Sequence, residues 1–330
     1  MTLKIQTTNL LKDLTKDDEV VLDDGIKHLF DKADLLAIWA AYQSGRPLLL
    51  RGKPGTGKSQ LAKAIAHLLG WAFVSEVMHG GTQLEELHWH YDAISRLGEA
   101  QSLAYTLGLG TPDNKDKPSA GDTVQEKLDH KHFIRPGAFW WAFDWCSAKA
   151  CYPKSAKVQE IMPKSPENWD AEQQGVVLLI DEIDKAEPDL PNGLLQTLGD
   201  LEFNVPYIHK NIKAKGIKPL IIITTNEERE LPTALVRRCY THTLKMAEGE
   251  NKIDWLVKRG QLHFKTKISP DSYQQAAELL WQDRQSDMRY PPGLAEYLDL
   301  LRALATLSHK DQAQGLEDIS QFVYNKETED

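Results

Sequence analysis

The residues best suited to chemistry form one continuous segment, and their types match a phosphate-binding loop. The segment fits G-x-x-x-x-G-K-[ST], a pattern whose glycines let the backbone wrap a phosphate with its N–H groups. Lys58 is expected to reach the β- and γ-phosphates of a nucleotide, and the Ser59 hydroxyl to serve as a Mg²⁺ ligand. A helix beginning near Ser59 directs its positive end at the same anion. The predicted nucleotide-binding residues are Gly52, Pro54, Gly55, Thr56, Gly57, Lys58, Ser59 and Gln60.

Two acidic residues follow the most apolar run of the chain. Residues 176–180 are all apolar without alternation, which indicates a strand buried on both faces of a parallel sheet. Acids at the carboxyl end of such a strand lie where ligands bind in open α/β sheets. We expect Asp181 to hold Mg²⁺ opposite Ser59 and Glu182 to polarise the attacking water. A solvated acidic turn is the alternative, and the phosphate loop about 120 residues upstream disfavours it.

A second apolar strand and an arginine pair complete the set of reactive candidates. Residues 220–224 lead to Asn226, which is expected near the γ-phosphate, where an amide orients water without adding negative charge. The alternative is an asparagine that simply ends a strand before a turn. Arg237 and Arg238 are candidates for stabilising charge on the transferred phosphoryl group. Surface arginines that form only salt bridges are the alternative for either one.

The elements that must position these residues can be read from the apolar pattern. Leu48 to Leu50 predicts a buried strand leading into the phosphate loop, and residues 59–69 a helix closed by Gly70. The pattern further predicts a helix over 32–43, a strand over 72–77, helix over 84–107, and loops over 108–122 and 153–175.

The pattern changes after Glu248, where only helices are predicted, over 255–262, 273–281 and 294–304. We therefore predict an N-terminal extension (1–24), a nucleotide-binding α/β domain (25–247) and an α-helical lid domain (248–330).

Composition restricts the classes of protein that fit. The 39 Lys and Arg residues against 48 Asp and Glu give a net charge of −9, which disfavours non-specific nucleic-acid binding. A 41% hydrophobic content excludes a disordered chain, and no apolar run is long enough to span a bilayer. Three cysteines cannot pair completely, which suits a reducing compartment. We expect a cytoplasmic protein with buried thiols at Cys146 and Cys151, and without membrane contact.

Two histidine pairs, at residues 88 and 90 and at residues 130 and 132, invite a metal-site interpretation. Histidines two positions apart diverge on a helix or a strand, and no nearby cysteine completes a zinc pattern. We interpret them as surface or packed residues.

The ordered motifs from Gly52 to Arg238, followed by a helical segment, resemble the AAA+ ATPases. Three stretches are similar to the MoxR-type branch of that family: Tyr91-Asp92-Ala93-Ile94-Ser95-Arg96-Leu97, Ile134-Arg135-Pro136-Gly137-Ala138-Phe139-Trp140-Trp141-Ala142, and the segment from Leu231-Pro232 to Arg238-Cys239. The aromatic residues of the second stretch also fit an ordinary core.

The resemblance implies a parallel five-stranded sheet flanked by helices, a C-terminal lid, and ATP and Mg²⁺ as ligands. It implies that Asn226 is the first sensor and that Arg237 or Arg238 acts on a neighbouring subunit. Arg238 is preferred because the arginine finger of this family, the arginine that acts on the neighbouring subunit, usually directly precedes an apolar residue, here Cys239. A hexameric ring follows by resemblance. The implied activity is chaperone-like remodelling of a partner protein, with a von Willebrand factor A domain as one possibility.

Two departures from the family pattern support an alternative function. The start of the predicted lid helix, residues 290–297, has no second-sensor arginine, for which Arg289 and Arg302 are the nearest substitutes. The loop at residues 78–82 lacks the aromatic residue with which unfoldases of this family grip a polypeptide. The alternative is a nucleotide-switched scaffold, or a motor subunit, of a bacterial defence system with low turnover. A DNA-translocating motor is disfavoured by the acidic charge.

Overall fold

The computed structural model describes residues 19–21, 25, 27–106, 120–152, 162–285 and 291–324. Most of the predicted N-terminal extension and of the predicted 108–122 loop lies outside these ranges. In chain order the strands are β1 (Glu19–Val21), β2 (Lys27–Leu29), β3 (Leu48–Arg51), β4 (Ala72–Val77), β5 (Trp89–Tyr91), β6 (Ile134–Pro136), β7 (Val176–Asp181), β8 (Glu202–Val205), β9 (Lys210–Lys213), β10 (Leu220–Thr225) and β11 (Tyr240–Thr243).

The described helices lie mostly between and after these strands. In chain order they are α1 (Lys32–Ser44), α2 (Lys58–Leu69), α3 (Leu84–His88), α4 (Ala93–Thr106), α5 (Ala120–Lys127), α6 (Ala138–Phe143), α7 (Trp145–Ala150), α8 (Leu190–Asp200), α9 (Thr233–Arg238), α10 (Lys252–Phe264), α11 (Pro270–Gln285), α12 (Leu294–Leu304) and α13 (Gln312–Tyr324). Gly45 and Gly70 end α1 and α2 in the left-handed conformation, each with φ of 63°, as the sequence predicts.

Five parallel strands form the central sheet, in the order β11-β3-β10-β7-β4. Residue 222 of β10 pairs with residue 48 of β3, and residue 220 pairs with residue 177 of β7. Since all five strands run the same way, β3, β7 and β10 present their carboxyl ends at one edge of the sheet. The predicted fold class, a parallel five-stranded sheet flanked by helices with a helical C-terminal region, is confirmed.

The unbroken apolar run of β7 has a direct structural cause. Val176, Leu178 and Ile180 pack into the core on one face of the sheet. Val177 and Leu179 pack into the core on the other face. Because helices cover both faces, no position of this strand meets water before Asp181. The core that contains Val176 is called the first core here. It buries the aromatic side chains of Phe139, Trp140, Trp141 and Phe143, as predicted, whereas Trp145 is only partly buried.

Two elements differ from the sequence-based prediction. The fifth strand, β11, is the polar segment Tyr240–Thr243, which has no apolar run because it lies at the edge of the sheet. The predicted helix over 84–107 is divided, since β5 interrupts it and pairs antiparallel with β6. Gly137 N–H donates to the carbonyl oxygen of His88 at 3.0 Å, which continues this pairing.

The residues after β11 build a third core of their own. Helices α10 to α13 contribute most of it, and the buried residues include Leu256, Ala276, Tyr297 and Leu301. The predicted helices over 255–262 and 273–281 each begin three residues earlier than predicted, and they end two and four residues later, respectively. The helix over 294–304 has the predicted bounds. In the described part of the chain, no helix has the length and apolar content needed to cross a membrane.

Candidate functional site

The predicted phosphate loop connects β3 to α2, and its backbone requires glycine. Gly52, Gly55 and Gly57 all have positive φ, at 144°, 77° and 91°. A side chain on Gly52 would also place its Cβ 2.7 Å from the carbonyl oxygen of Leu244. Thr56 Oγ1 donates to the carbonyl oxygen of Lys53 at 2.9 Å, which closes the loop on itself. The loop therefore has the compact shape that a phosphate cradle needs.

Lys58 connects the loop to the neighbouring strand end. Its Nζ donates to the carbonyl oxygen of Gly52 at 2.7 Å and to Asn226 Oδ1 at 2.7 Å. Burial lowers the pKa of Lys58, while the nearby carboxylates of Asp181 and Asp184 oppose that shift. The structure thus brings together Lys58 and Asn226, which are 168 positions apart in the chain.

Ser59 and Asp181 lie side by side, as the sequence predicts. Ser59 Oγ donates to Asp181 Oδ2 at 2.7 Å, and Thr224 Oγ1 donates to Asp181 Oδ1 at 2.5 Å. A hydroxyl and a carboxylate supply the hard oxygen ligands that Mg²⁺ prefers. The donor set at this position therefore fits a magnesium ion between the phosphate loop and β7.

Glu182 directly follows β7 and is held from two sides. Its Oε1 accepts from Asn226 Nδ2 at 3.1 Å, and its Oε2 pairs with Lys185 Nζ at 2.9 Å. The hydrogen bond to Glu182 raises the pKa of Lys185. The Glu182 backbone has φ of 58°, and its N–H donates to Thr224 Oγ1 at 2.8 Å. One threonine therefore orients both acidic residues.

The arginine candidates lie elsewhere. Arg237 and Arg238 are exposed at the end of α9, and Arg238 Nη1 donates to the carbonyl oxygen of Leu195 on α8. Arg302 pairs with Asp299 at 2.5 Å on an exposed face of α12. None of the three lines the cavity at the phosphate loop, as far as the described residues show. Arg289 lies outside the described residues.

The cavity beside the phosphate loop measures about 400 Å³. It is lined by the loop, Asp181, Glu182 and Asn226, and also by residues of β2 and of helices α10 and α12. The first turn of α12 lies against the loop: a Cβ added to Gly55 would be 3.2 Å from the Cβ of Ala295. The site is thus enclosed by the sheet edge on one side and the helical region on the other.

Several residues of the site carried no recognisable signal in the sequence. Thr224 precedes Asn226 in an ordinary apolar strand, and its role is visible only through its contacts with β7. Asp184 is buried, and it accepts from the backbone N–H groups of Asn226 and Glu228 at 3.3 and 3.1 Å. Arg259 of α10 also lines the cavity. Each depends on pairing between segments that are distant in the chain.

The cysteine prediction was wrong in part, and the histidine pairs can now be placed. Cys146 is exposed and Cys151 half-buried, whereas Cys239 is buried. Cys146 is exposed because it lies in the first turn of α7, a short helix that buries only Ala148.

His88 stacks on Phe203 and bonds Thr197 Oγ1 at 2.9 Å. Among the described residues, no group of three or more histidine, cysteine, aspartate or glutamate side chains is placed to hold a metal ion.

One family model matches part of the chain and agrees with the fold of that part. The family that matches is the AAA domain (dynein-related subfamily), over residues 47–106, which is less than a fifth of the chain. This stretch runs from the residue before β3 through the phosphate loop to the end of α4. No curated protein matches the sequence. Among solved structures, the chain is similar to the crystal structure of a "putative ATPase" from Cytophaga hutchinsonii. That similarity covers 97% of this chain and 85% of the other, at 12% identity and a TM-score of 0.38.

The phosphate loop, the parallel sheet and the acidic strand end define a P-loop nucleoside-triphosphatase fold. Within this class, the AAA-domain match and the helical C-terminal region show the fold of the AAA+ ATPases. The MoxR-type branch, the hexamer and the partner protein stay predictions.

Proposed function

We propose that the chain binds ATP at the phosphate loop and hydrolyses it to ADP and phosphate. The observation that carries this proposal is the pair of contacts joining the loop to the strand ends. These are Ser59 to Asp181, at 2.7 Å, and Lys58 to Asn226, at 2.7 Å. Groups that bind phosphate, metal and water thereby meet at one edge of the sheet, where open α/β folds bind ligands.

Each residue has a role that follows from its position. The backbone N–H groups of the loop and Lys58 bind the β- and γ-phosphates. Glu182 takes the proton of the attacking water, and Asn226, which bonds both Lys58 and Glu182, fixes that carboxylate relative to the phosphates. Ser59 and Asp181 would hold Mg²⁺, which neutralises charge on the phosphate oxygens when bound.

An arginine from a neighbouring subunit completes the site in this proposal. Arg237 and Arg238 are exposed and do not line the cavity of their own chain, so in this proposal they reach the cavity of another copy, with Arg238 exchanging its bond to the Leu195 carbonyl for the phosphate. A head-to-tail contact that repeats closes into a ring when its rotation allows, and we propose a hexamer. We take residues 25–247 as the motor and 248–330 as its lid.

The proposed role is chaperone-like remodelling of a partner protein in the cytoplasm, of MoxR type. Support comes from the three stretches that are similar to that branch. Most of the second stretch after Gly137 lies in helix α6 (residues 138–143), which packs in the first core. A partner with a von Willebrand factor A domain is the first candidate. Capture of such a protein by the Glu182→Gln variant with ATP, and loss of it with ADP, would support this role.

The variant Glu182→Gln tests the proposed hydrolysis directly. We expect it to abolish phosphate release while ATP binding persists, because the amide cannot accept the proton of water. Glu187→Gln is the matched control, since Glu187 is exposed on the turn before α8. Normal turnover by Glu182→Gln would remove Glu182 from the mechanism, whereas absence of ATP binding by the native protein would reject the proposal.

Mixed assemblies test the neighbour's arginine. Glu182→Gln and Arg238→Ala are each expected to be inactive alone. Mixing them creates sites that combine the intact Glu182 of one subunit with the intact Arg238 of the next, so activity returns. A mixture that stays inactive would contradict the assignment of Arg238, and repeating it with Arg237→Ala decides between the two arginines.

The second candidate, a nucleotide-switched scaffold with low turnover, is favoured by one observation. Each oxygen of Glu182 already has one partner, Asn226 for one and Lys185 for the other, and both contacts compete with water for the carboxylate. This candidate predicts slow steady-state hydrolysis that a partner protein does not accelerate. Acceleration by a partner would favour the remodelling factor instead.

A further inference from the structure

The part of the cavity formed by the helical region has its own chemical character. It is lined by Trp255, Arg259 and Leu262 of α10, by Leu298 of α12 and by Met246. If the phosphate loop holds the phosphates, the nucleoside must extend toward these residues. The question is which of them recognises the base.

Arg259 and Trp255, which both line the cavity, lie against each other. The guanidinium carbon of Arg259 lies 3.5 Å from the centre of the Trp255 ring. Arg259 Nη2 donates to Asp31 Oδ2 at 2.9 Å, and Trp255 Nε1 donates to the same oxygen at 3.4 Å. Asp31, the N-cap residue of α1, therefore fixes the orientation of both groups.

The burial of Arg259 is unusual for a charged side chain. Its side chain is 9% exposed, and burial lowers its pKa, while Asp31 opposes that shift. Long cations are seldom fully buried, since desolvation is costly. A guanidinium plane is also one of the surfaces on which nucleic-acid bases stack. A buried, oriented guanidinium on a cavity wall is suited to that contact.

Two further residues that line the same cavity each have a buried polar atom with no hydrogen-bond partner among the described residues. These atoms are His28 Nε2, on β2, and Gln60 Oε1, on α2. Burial lowers the pKa of His28 to about 4, so its ring is neutral near pH 7 and offers one donor and one acceptor nitrogen. Both atoms are shielded from water, so a base meets them only as the two side chains turn toward the cavity. A ligand edge that satisfied them would relieve two unpaired groups.

We propose that Arg259, stacked on Trp255 and held by Asp31, is the platform for the nucleobase, with His28 and Gln60 contacting the polar edge of the base. The inference rests on the proposed binding of ATP at the phosphate loop. It assigns base recognition chiefly to the helical region and β2, and phosphate recognition to the sheet edge.

Comparing a ligand that has a base with one that lacks it tests the platform. Calorimetry measures binding of ATP and of inorganic tripolyphosphate to the native protein and to Arg259→Lys. Lysine keeps the charge but lacks the plane, so ATP binding should weaken at least about fivefold while tripolyphosphate binding stays the same. Arg284→Lys is the matched control, because Arg284 also lies over a tryptophan, Trp281, at 5.3 Å, but does not line the cavity.

The outcomes separate the platform from its alternatives. Equal weakening for both ligands would mean that Arg259 acts on the phosphates or through the fold, and would overturn the proposal. Unchanged ATP binding would overturn it as well. Failure of the native protein to bind either ligand would instead reject the proposed function. Tripolyphosphate binding also reports that Arg259→Lys is folded at the phosphate loop.

An ATP analogue without the 6-amino group tests the edge contact. Deleting that amine should weaken binding to the native protein by about three- to tenfold, the usual worth of one hydrogen bond. In Gln60→Ala the same deletion should have no effect, because the acceptor is already missing. An equal loss in both proteins would remove Gln60 from base recognition.

Discussion

Replacing Gly260 with alanine sets two opposing effects against each other. Gly260 is buried within α10, next to Arg259, and alanine normally stabilises a helix interior by about 1 kcal/mol. A Cβ at this position, however, would lie 2.6 Å from Leu301 Cδ1 and 3.0 Å from the hydroxyl of Tyr297. Neighbours must therefore move in a core that is already close-packed.

The cost of that movement exceeds the gain. Overpacking a core typically costs about 1–3 kcal/mol. The Tyr297 hydroxyl donates to the carbonyl oxygen of Tyr273 at 3.1 Å, and leaving buried groups unpaired adds about 1–3 kcal/mol. We expect Gly260→Ala to lower the free energy of unfolding by about 1–5 kcal/mol, net of the helix-propensity gain.

Unfolding in urea, monitored by tryptophan fluorescence, measures this difference in the free energy of unfolding. Gly98→Ala is the matched control, because Gly98 is exposed in α4 and has no atom within 4 Å of an added Cβ. It should gain roughly 0.5–1 kcal/mol from helix propensity alone. If Gly260→Ala proved as stable as the native protein, the close packing of α10 against α12 would be refuted.

Three further predictions concern the site and its surroundings. Ser59→Ala should raise the Mg²⁺ concentration needed for half-maximal hydrolysis, because one oxygen ligand is lost; an unchanged Mg²⁺ titration would contradict this. Lys185→Met should raise basal hydrolysis, since it frees one oxygen of Glu182 from its cation, and unchanged phosphate release would show that the ion pair is not restraining. Burial lowers the pKa of His88 from 6.5 to about 4, so the folded state binds fewer protons than the unfolded state between these values. Stability is therefore lost as the pH falls from 6.5 to 4, by about 3 kcal/mol for this group, and His88→Gln should lose less over that range in acid unfolding.

The sheet and the reactive residues were predictable where the signal is local. The phosphate loop depends on eight adjacent residues, and β7 and β10 are buried on both faces, so their apolar runs are continuous. Polar residues at the carboxyl ends of parallel strands must meet at one edge, which brings Asp181 and Asn226 to the loop. The spacing of motifs and the geometry of a parallel sheet were sufficient for this much.

The remaining features depend on contacts between distant segments. The polar edge strand β11 pairs with β3 along its length, and although Tyr and Thr favour strands, the four residues Tyr240–Thr243 have no apolar run or alternation that would mark a strand of the central sheet. Likewise, Trp89–Tyr91 follows a helix and becomes extended only because residues 134–136 lie beside it. Arg259 resembles any other charged residue of an amphipathic helix until Asp31 and Trp255 are placed around it.

The edge strand β11 gives the arginine pair a mechanical connection to the phosphate loop. The strand begins directly after Arg238 and Cys239, and its partner along its whole length is β3, which enters the loop. At its far end, Leu244 N–H donates to the carbonyl oxygen of Arg51 at 2.8 Å, and the Leu244 carbonyl packs against Gly52. A push on the arginines from an adjoining molecule would travel along one extended segment of about 13 Å and arrive at the first glycine of the loop. If the proposed ring forms, a contact at the arginines of one subunit would reach its own phosphate loop through β11 and the strand β3 that is paired with it.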